Sequence, residues 1–279
     1  MTNTTTVSKV SKDRSNTLLR AFLPNQVVSA GTMRLIVGTE IGLALLVWFN
    51  SPFKVLPTPK GVFLAFQPLW QNDKLGEALA TSFKMNLEAL FYTALFSLLL
   101  AYLTVLPVFR PIVTAISKGR FLSMVGFSLV FILMGKEGHS LKIALLVFGM
   151  TVFFVTSMAS VIDQIPKGDF DHARTLRMRE WQVVWEVVIL GTADKAFEVL
   201  RQNAAIGWMM LTMVEGIVKA EGGVGVLLLE QQKYLALEKV FAIQIIILLL
   251  GLLQDYGIGV VRRLVCPYAD LTLERNRRS

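Results

Sequence analysis

The chain has 279 residues, of which 54% are hydrophobic and 17% charged, with a mean hydropathy of +0.57 and a net charge of +8. Soluble domains carry about a quarter charged residues, so this composition excludes an ordinary soluble fold and favours a helical protein with several membrane spans. The single cysteine, Cys266, excludes a disulfide framework, and two histidines argue against a metal centre.

Apolar stretches near the roughly 20 residues that cross a bilayer recur along the chain. They predict six spans, at about residues 35–49, 87–106, 121–134, 141–161, 197–218 and 240–261. The third span is short, so its helix is expected to begin earlier, near Pro111. The polar, proline-containing segment 50–84 is predicted to lie outside the membrane. The predicted organisation is a polar tail at 1–33, a six-span domain at 34–262 and a second tail at 263–279.

The positions of lysine and arginine predict the orientation of these spans. About two-thirds of the 28 Lys and Arg residues fall on the side that carries both tails. Cytoplasmic loops of membrane proteins carry the excess of these residues. Both termini are therefore predicted to be cytoplasmic, and the segment between spans four and five lies on the same side. The basic charge marks membrane orientation rather than binding of nucleic acid.

That segment, residues 162–195, resembles neither a span nor a tail. Its apolar residues fall at helical spacing in two sets, separated by the polar run Arg177-Met178-Arg179-Glu180. The first set is Phe170, Ala173 and Leu176, and the second is Trp181, Val184, Trp185 and Val188. The pattern predicts two short amphipathic helices joined by a turn. Such a loop either contacts a cytoplasmic partner or lies on lipid headgroups.

The same segment resembles a loop of a known family, whose pattern is E-A-A-x3-G-x9-I-x-L-P. In this chain the pattern falls on Asp171-His172-Ala173, Arg177, Val187 and Ile189-Leu190, and RTLRMREWQVV is similar to the family's R-x-L-G-A-S-x-W-Q-x-x. Further similarities lie at LPTPKGVFLAF, Leu200-Arg201, Trp208, Glu215, Gly222–Gly225 and GLLQD. Over about residues 50–268 the chain resembles the membrane subunit of a binding-protein-dependent ABC importer, in the nitrate, sulfonate and taurine branch.

This resemblance implies an all-α integral membrane protein of the type I ABC importer permease kind, with six spans and cytoplasmic coupling helices between spans four and five. It implies a multi-pass location in the bacterial cytoplasmic (inner) membrane. Two permease copies, identical or different, then form one path for a small anionic solute. Separate ATPase subunits supply ATP hydrolysis, and a periplasmic or lipid-anchored binding protein delivers the solute. The subunit itself is expected to bind no cofactor or metal and to catalyse no reaction; no G-x-x-x-x-G-K-[ST] pattern occurs in it.

The solute stays open at this stage, because the branch includes permeases for nitrate, sulfonates, taurine, cyanate, bicarbonate and thiamine precursors. Two other classes of protein are alternatives. A membrane enzyme would need a cluster of acidic and histidine residues at one membrane face, and the candidate cluster is Asp163, Asp169, Asp171 and His172. A secondary transporter would need internal repeats with paired broken helices, and the sequence contains no such repeat.

The candidate site residues form two groups. The resemblance assigns ATPase coupling to Phe170, Asp171, His172, Ala173, Leu176, Arg177, Trp181 and Val184. The polar residues of span five are predicted to line the translocation path: Arg201, Asn203, Trp208 and Glu215.

Several of these residues have a second interpretation. Arg201 either attracts an anion or anchors the span structurally, and Trp208 is either a gate or packing. Glu215 and Glu221 either contact a binding protein or are solvated. Glu40 is either a functional acid within span one, or an acid near the interface, or one paired with Arg34.

Three positions depart from the family pattern. Arg177 stands where the family has glycine, which passes through positive φ without strain, so the turn is expected to be shifted or differently shaped. Leu190 and Asp194 replace the two prolines that open span five. Asp194 is expected to cap that helix with its carboxylate.

Overall fold

Helices account for most of the described chain. The computed structural model describes residues 29–50 and 56–267, and within these ranges the chain forms helices joined by turns, without β-strands. Most of the predicted tails, and residues 51–55 of the predicted external segment, lie outside these ranges. The all-α prediction is confirmed for the described residues. The chain separates into two compact units, the first ending at Pro59 and the second beginning at Lys60.

The first unit contains the helix α1 (Ala30–Phe49). The Ser29 hydroxyl accepts a hydrogen bond from the Thr32 N–H at 3.3 Å and so caps the helix. At the other end, the Trp48 indole N–H donates to the Pro57 carbonyl at 3.0 Å. Glu40 lies near the middle of α1.

The second unit follows as a series of helices whose bounds differ from the predicted spans. In chain order they are α2 (Pro59–Gln71), α3 (Leu75–Leu103), α4 (Arg110–Lys118), α5 (Met124–Leu133), α6 (Gly138–Asp163), α7 (Lys167–Thr175), α8 (Glu180–Val183), α9 (Ala193–Ile217), α10 (Val224–Lys233) and α11 (Leu237–Val265). A π-helix, Val184–Leu190, lies between α8 and α9. The second predicted span begins earlier than expected, because α3 starts at Leu75.

Four helices of the described chain, α1, α3, α6 and α11, are long and apolar enough to cross a membrane. The predicted third span is not one straight helix: the segments 107–121 and 124–133 are bent by 113° and would form a fifth span only as a pair. The 25-residue α9 is long enough but is not among the four. Its sequence RQN at 201–203 lowers its hydropathy. The predicted count of six spans is therefore not confirmed.

Packing in the second unit centres on α6, which packs against α3 and α9, while α9 also contacts α3, α10 and α11. The buried face of α3 includes a row of small and polar residues beside Leu75, Met85 and Leu90: Ser82, Asn86, Ala89, Thr93, Ser97 and Ala101. Its opposite face carries exposed Leu and Phe side chains. Small residues inside and large apolar residues outside are typical of helices packed within lipid. This arrangement brings the polar residues of neighbouring helices together.

The predicted cytoplasmic position of the C-terminus can be tested by cysteine labelling. Cys266 itself is a poor reporter, since it is only 2% exposed. Leu264 is 78% exposed near one end of α11, and Tyr234 is 81% exposed beyond the other end. In a Cys266→Ser background, we expect a membrane-impermeant maleimide to label Leu264→Cys only in inverted vesicles and Tyr234→Cys only in intact cells. Labelling of both from the same side would contradict the predicted orientation.

Candidate functional site

Within the 162–195 segment, α7 and α8 are joined by a tight turn, and the π-helix Val184–Leu190 follows them. In the turn the Arg177 N–H donates to the Arg174 carbonyl at 2.9 Å, and the Met178 N–H donates to the Ala173 carbonyl at 3.4 Å. These two bonds form a Schellman motif, whose central residue adopts the left-handed conformation usually taken by glycine. Arg177 occupies that position with φ of 56°. The expectation that arginine shifts or reshapes the turn is therefore wrong: the turn keeps the conformation that suits glycine, and arginine adopts it.

An ion pair closes the turn from outside. The Arg174 guanidinium donates two hydrogen bonds to the Glu180 carboxylate, from Nε at 3.1 Å and from Nη2 at 3.2 Å, and thereby links α7 to α8. A second carboxylate, that of Asp171, lies 3.6 Å from Arg174. The hydrogen bonds from Arg174 hold the pKa of Glu180 below its usual value. Glu180 stays ionised at neutral pH, so the ion pair persists there.

The eight predicted coupling residues do not share one surface. Leu176 and Trp181 project outward, with 60% and 70% of their surfaces exposed, whereas Ala173 is 4% exposed. His172, Ala173, Leu176 and residues of the π-helix line a groove of about 370 Å³ between α7 and the start of α9. The exposed apolar surface of the turn is thus formed mainly by Leu176 and Trp181.

Because the left-handed conformation costs a non-glycine residue about 1–2 kcal/mol, Arg177→Gly should relieve strain. Glycine also loses more backbone entropy on folding, at about 0.4–1 kcal/mol, so we expect a net stabilisation on the order of 0.5 kcal/mol. The measurement is the thermal unfolding midpoint of the purified protein. Thr175→Gly is the control, since glycine within α7 should destabilise by about 0.5–1 kcal/mol. Destabilisation by both changes would mean that the Arg177 side chain contributes more than its backbone strain costs.

The start of α9 differs from the expected proline-like opening. Thr192, not Asp194, is the residue that precedes α9, and no side-chain hydrogen bond caps the helix at this end. The Thr192 hydroxyl instead donates back to the Val188 carbonyl at 2.6 Å. Asp194 lies in the first turn, where a carboxylate interacts favourably with the helix dipole. The expectation that Asp194 caps the helix is wrong, and its stabilising effect here is electrostatic.

Arg201 lies in a network of ion pairs between α9 and α11. Its guanidinium is 3.1 Å from the Glu198 carboxylate and 3.1 Å from the Asp255 carboxylate, and Arg262 lies 3.5 Å from Glu198. Arg201 and Asp255 border a groove of about 410 Å³, together with Ala204, Trp208, Gln244, Ile247 and Gly251. Two carboxylates offset the charge of Arg201, so the network favours its structural interpretation over simple anion attraction.

Trp208 and Asn203 lie on the buried side of α9. Trp208 is 5% exposed, and its indole N–H donates to the Gln254 amide oxygen at 2.7 Å; the Asn86 amide donates to the same oxygen at 3.4 Å. Asn203 is 1% exposed and donates to the Val199 carbonyl at 3.1 Å. A hydrogen bond across helices therefore fixes Trp208 against α11. Of the four predicted path residues, Arg201 and Trp208 border the groove, while Asn203 and Glu215 do not.

Glu215 is buried and forms a clasp among three helices. Its carboxylate accepts the Ser82 hydroxyl of α3 at 2.5 Å and the Gly225 N–H of α10 at 2.7 Å. The Ser82 oxygen in turn accepts the Val224 N–H at 2.8 Å. Two of the N–H groups that α10 leaves unpaired at its N-terminus are satisfied in this way, and the carboxylate lies at the positive end of that helix. The prediction that Glu215 is solvated is wrong.

Lys142 and His139 stabilise the end of the helix bundle where Glu215 lies. Lys142 of α6 is fully buried, and its ammonium donates to the Gly222 carbonyl at 2.9 Å. The two ring nitrogens of His139 lie 3.0 Å from a Glu88 carboxylate oxygen and 3.1 Å from one of Glu221. The turn between α9 and α10 is thus held by α3, α6 and α9 together. We call Ser82, Lys142, Glu215 and the Gly222–Gly225 backbone the buried clasp.

Sequence reasoning missed the buried clasp and the polar contacts of Gln254. One signal was present: Ser82, Asn86, Thr93 and Ser97 recur at near-helical spacing within a Leu- and Phe-rich helix. That stripe marks the buried face of α3, but it does not identify its partners.

Comparisons with known proteins agree with the resemblance of the loop. The family model described as binding-protein-dependent transport system inner membrane component matches residues 59–265. The taurine transport system permease protein TauC of Escherichia coli (strain K12) is 23% identical over 251 residues, which cover 86% of this chain and 89% of that protein. A solved structure of the MetNI methionine ABC transporter in inward-facing conformations has a TM-score of 0.47 and 18% identity, and the match covers 75% of this chain and 99% of that chain.

Proposed function

The chain belongs to the family of inner membrane components of binding-protein-dependent transport systems, and we propose that it forms half of the translocation path for a small anionic solute. Two copies of this six-span subunit line one path, with both termini in the cytoplasm. Separate ATPase subunits drive transport, and an external binding protein delivers the solute. The subunit contributes no catalytic site of its own.

The observation that carries this proposal is the turn at Arg177. The family loop has glycine there, and this chain keeps the left-handed backbone at the same position, with φ of 56°. Retaining a strained conformation without glycine costs free energy, and such strain is concentrated at functional sites. The two flanking helices present Leu176 and Trp181 to the outside. We therefore assign the α7–turn–α8 segment to docking of an ATPase subunit.

The coupling residues divide into two roles in this proposal. Leu176, Trp181 and Arg177 contact the ATPase directly, and Phe170, Asp171 and His172 flank that contact. Ala173 and Val184 support the loop from within, since Ala173 is buried and Val184 is half-buried. Replacing Ala173 by aspartate would therefore disturb the loop itself and would not test docking selectively.

A sulfonate-like solute fits this proposal best. The relative from Escherichia coli is a taurine permease, and the branch to which the loop is similar transports small anions. Arg201 and Trp208 border the groove between α9 and α11 and are assigned to the wall of the path. Asn203 and Glu215 support that wall from inside the bundle.

Docking is tested by truncating the two exposed anchors. Buried anchors at an interface typically cost about 2 kcal/mol or more when replaced by alanine, which weakens binding about thirtyfold at 25 °C. We expect Leu176→Ala with Trp181→Ala to lose the ATPase subunit on purification, while the amount of folded permease stays unchanged. The measurement is mass spectrometry of co-purified proteins, with the ATPase recognised by its G-x-x-x-x-G-K-[ST] sequence.

Leu264→Ala is the matched control, because Leu264 is even more exposed than Leu176 and Trp181 and is predicted to lie on the same side of the membrane. It should retain the ATPase. If wild-type protein co-purifies with no ATPase, the transport role is wrong. If the double variant retains as much ATPase as wild type, the docking assignment is wrong.

A further inference from the structure

The seven residues Val184–Leu190 form a π-helix between the coupling loop and α9. The Gly191 N–H donates to the Glu186 carbonyl, five residues earlier, at 3.0 Å. A π-helix holds one more residue in each hydrogen-bonded turn than an α-helix, and such segments are rare and are found frequently at functional sites. The segment is therefore equivalent to an α-helix with one inserted residue.

The inserted residue explains the pattern of burial on both sides of the segment. Val183, Val188 and Thr192 are each 1% exposed, at spacings of five and then four residues. On the opposite side, Trp181, Trp185 and Leu190 are 70%, 55% and 43% exposed, at spacings of four and then five residues. In a continuous α-helix, residues five apart point about 140° away from each other. The π-helix keeps the three buried residues on one side of the segment and the three exposed residues on the other.

The end of the π-helix is restricted sterically. A β-carbon at Gly191 would lie 2.3 Å from the Val187 carbonyl oxygen, which is too close for any side chain. Immediately afterwards, Thr192 is buried within the bundle, and its hydroxyl donates to the Val188 carbonyl. The boundary with α9 is thus anchored to the bundle, whereas α7 rests on the π-helix beside an open groove.

We propose that Val184–Leu190 is a joint that transmits movement of the coupling loop to α9 by exchanging its π-helical turn for an α-helical one. Because each residue of an α-helix turns the chain by about 100°, this exchange rotates α7 and α8 by about that angle relative to α9. The groove beside α7 leaves room for the movement. This inference rests on the proposed function, since it concerns how that coupling loop acts.

The test is deletion of Glu186, which removes the inserted residue. The deletion places Val183 and Val188 four residues apart, and likewise Trp185 and Leu190, so both rows fit a continuous α-helix. We expect the variant to fold with an unchanged yield but to be fixed in one state. Spin labels at Lys167→Cys on α7 and Gln202→Cys on α9, in a Cys266→Ser background, report the distance between loop and helix in the purified chain.

Wild type is expected to show two distance populations and the deletion variant one. Gly191→Ala, which places a β-carbon against the Val187 carbonyl, should shift wild type toward the population of the deletion variant. Glu186→Ala keeps the chain length and should behave as wild type. If wild type shows a single distance population that the deletion variant shares, the proposal that this segment is a joint is wrong. Failure of the deletion variant to fold would also contradict the proposal.

These distances are measured on the purified permease without ATPase or solute. Distances that contradict the joint would therefore not contradict the transport role. Conversely, the absence of a co-purifying ATPase would overturn the transport role and leave the distances unchanged.

Discussion

Replacing Lys142 by methionine is expected to lower the free energy of unfolding by about 3–5 kcal/mol, because it leaves Glu215 as an uncompensated charge among buried residues. Lys142 and Glu215 are both fully buried and bind the same short segment, Lys142 through the Gly222 carbonyl and Glu215 through the Gly225 N–H. Glu215→Leu should cost a similar amount for the reciprocal reason, and it also removes the acceptor of the Ser82 hydroxyl and the Gly225 N–H. The measurement is equilibrium unfolding in mixed micelles.

Lys74→Met is the matched control for this prediction. Lys74 lies 3.3 Å from Glu77, but both side chains are about three-quarters exposed, and exposed ion pairs contribute about 0–1 kcal/mol. The double variant Lys142→Met with Glu215→Leu should cost less than the two single changes added together, since neither charge is then left alone. Additive losses would show that the two groups act independently and would contradict the buried clasp as a unit.

Gly225→Ala is expected to cause a loss of about 3 kcal/mol or more, at the upper end of what overpacking costs. A β-carbon at this position would lie 2.4 Å from the Thr212 carbonyl oxygen of α9 and 2.9 Å from the Glu215 β-carbon. The Thr212 contact is backbone, so the clash is relieved only by separating α10 from α9. That separation breaks the Gly225 N–H bond to Glu215. We expect little folded protein by size-exclusion chromatography in detergent.

Gly126→Ala provides the comparison, because a β-carbon there meets nothing within 4 Å. In the helix α5, alanine should be neutral or stabilise by up to about 1 kcal/mol. A Gly225→Ala variant with the yield and unfolding midpoint of Gly126→Ala would show that α9 and α10 do not pack as closely as the structure describes.

The 162–195 segment shows how much a local sequence pattern can predict. Two sets of apolar residues at helical spacing, separated by a polar break, correctly predicted α7 and the turn. The second predicted helix, which included Trp185 and Val188, is instead the short α8 followed by a π-helix. The family's glycine position correctly located the turn, but the identity of Arg177 led to a wrong expectation about its shape. The hydrogen bonds of the Schellman motif and the Arg174–Glu180 ion pair hold the turn, and a propensity scale for one residue does not include them.

The candidate path was less predictable, since polarity in a span indicates burial in the bundle without identifying a partner. Arg201 is offset by Glu198 and Asp255, and Trp208 is fixed by Gln254 on a helix almost fifty residues later. Glu215 was assigned to the path from its position in span five. Its actual partners include Ser82, which lies 133 residues earlier in the sequence.

The membrane class, the family resemblance, the order of the apolar helices, α7 and the turn at Arg177 were all predictable from the linear sequence. These properties depend on composition, on motif spacing and on periodicity over one or two helical turns. Four other features become apparent only in the folded chain: the bend of 113° before α5, the inward position of Ala173, the π-helix before α9 and the buried clasp. Each of these depends on the steric fit and hydrogen bonding of helices brought together by packing, and a linear pattern records only which residues are available for such contacts.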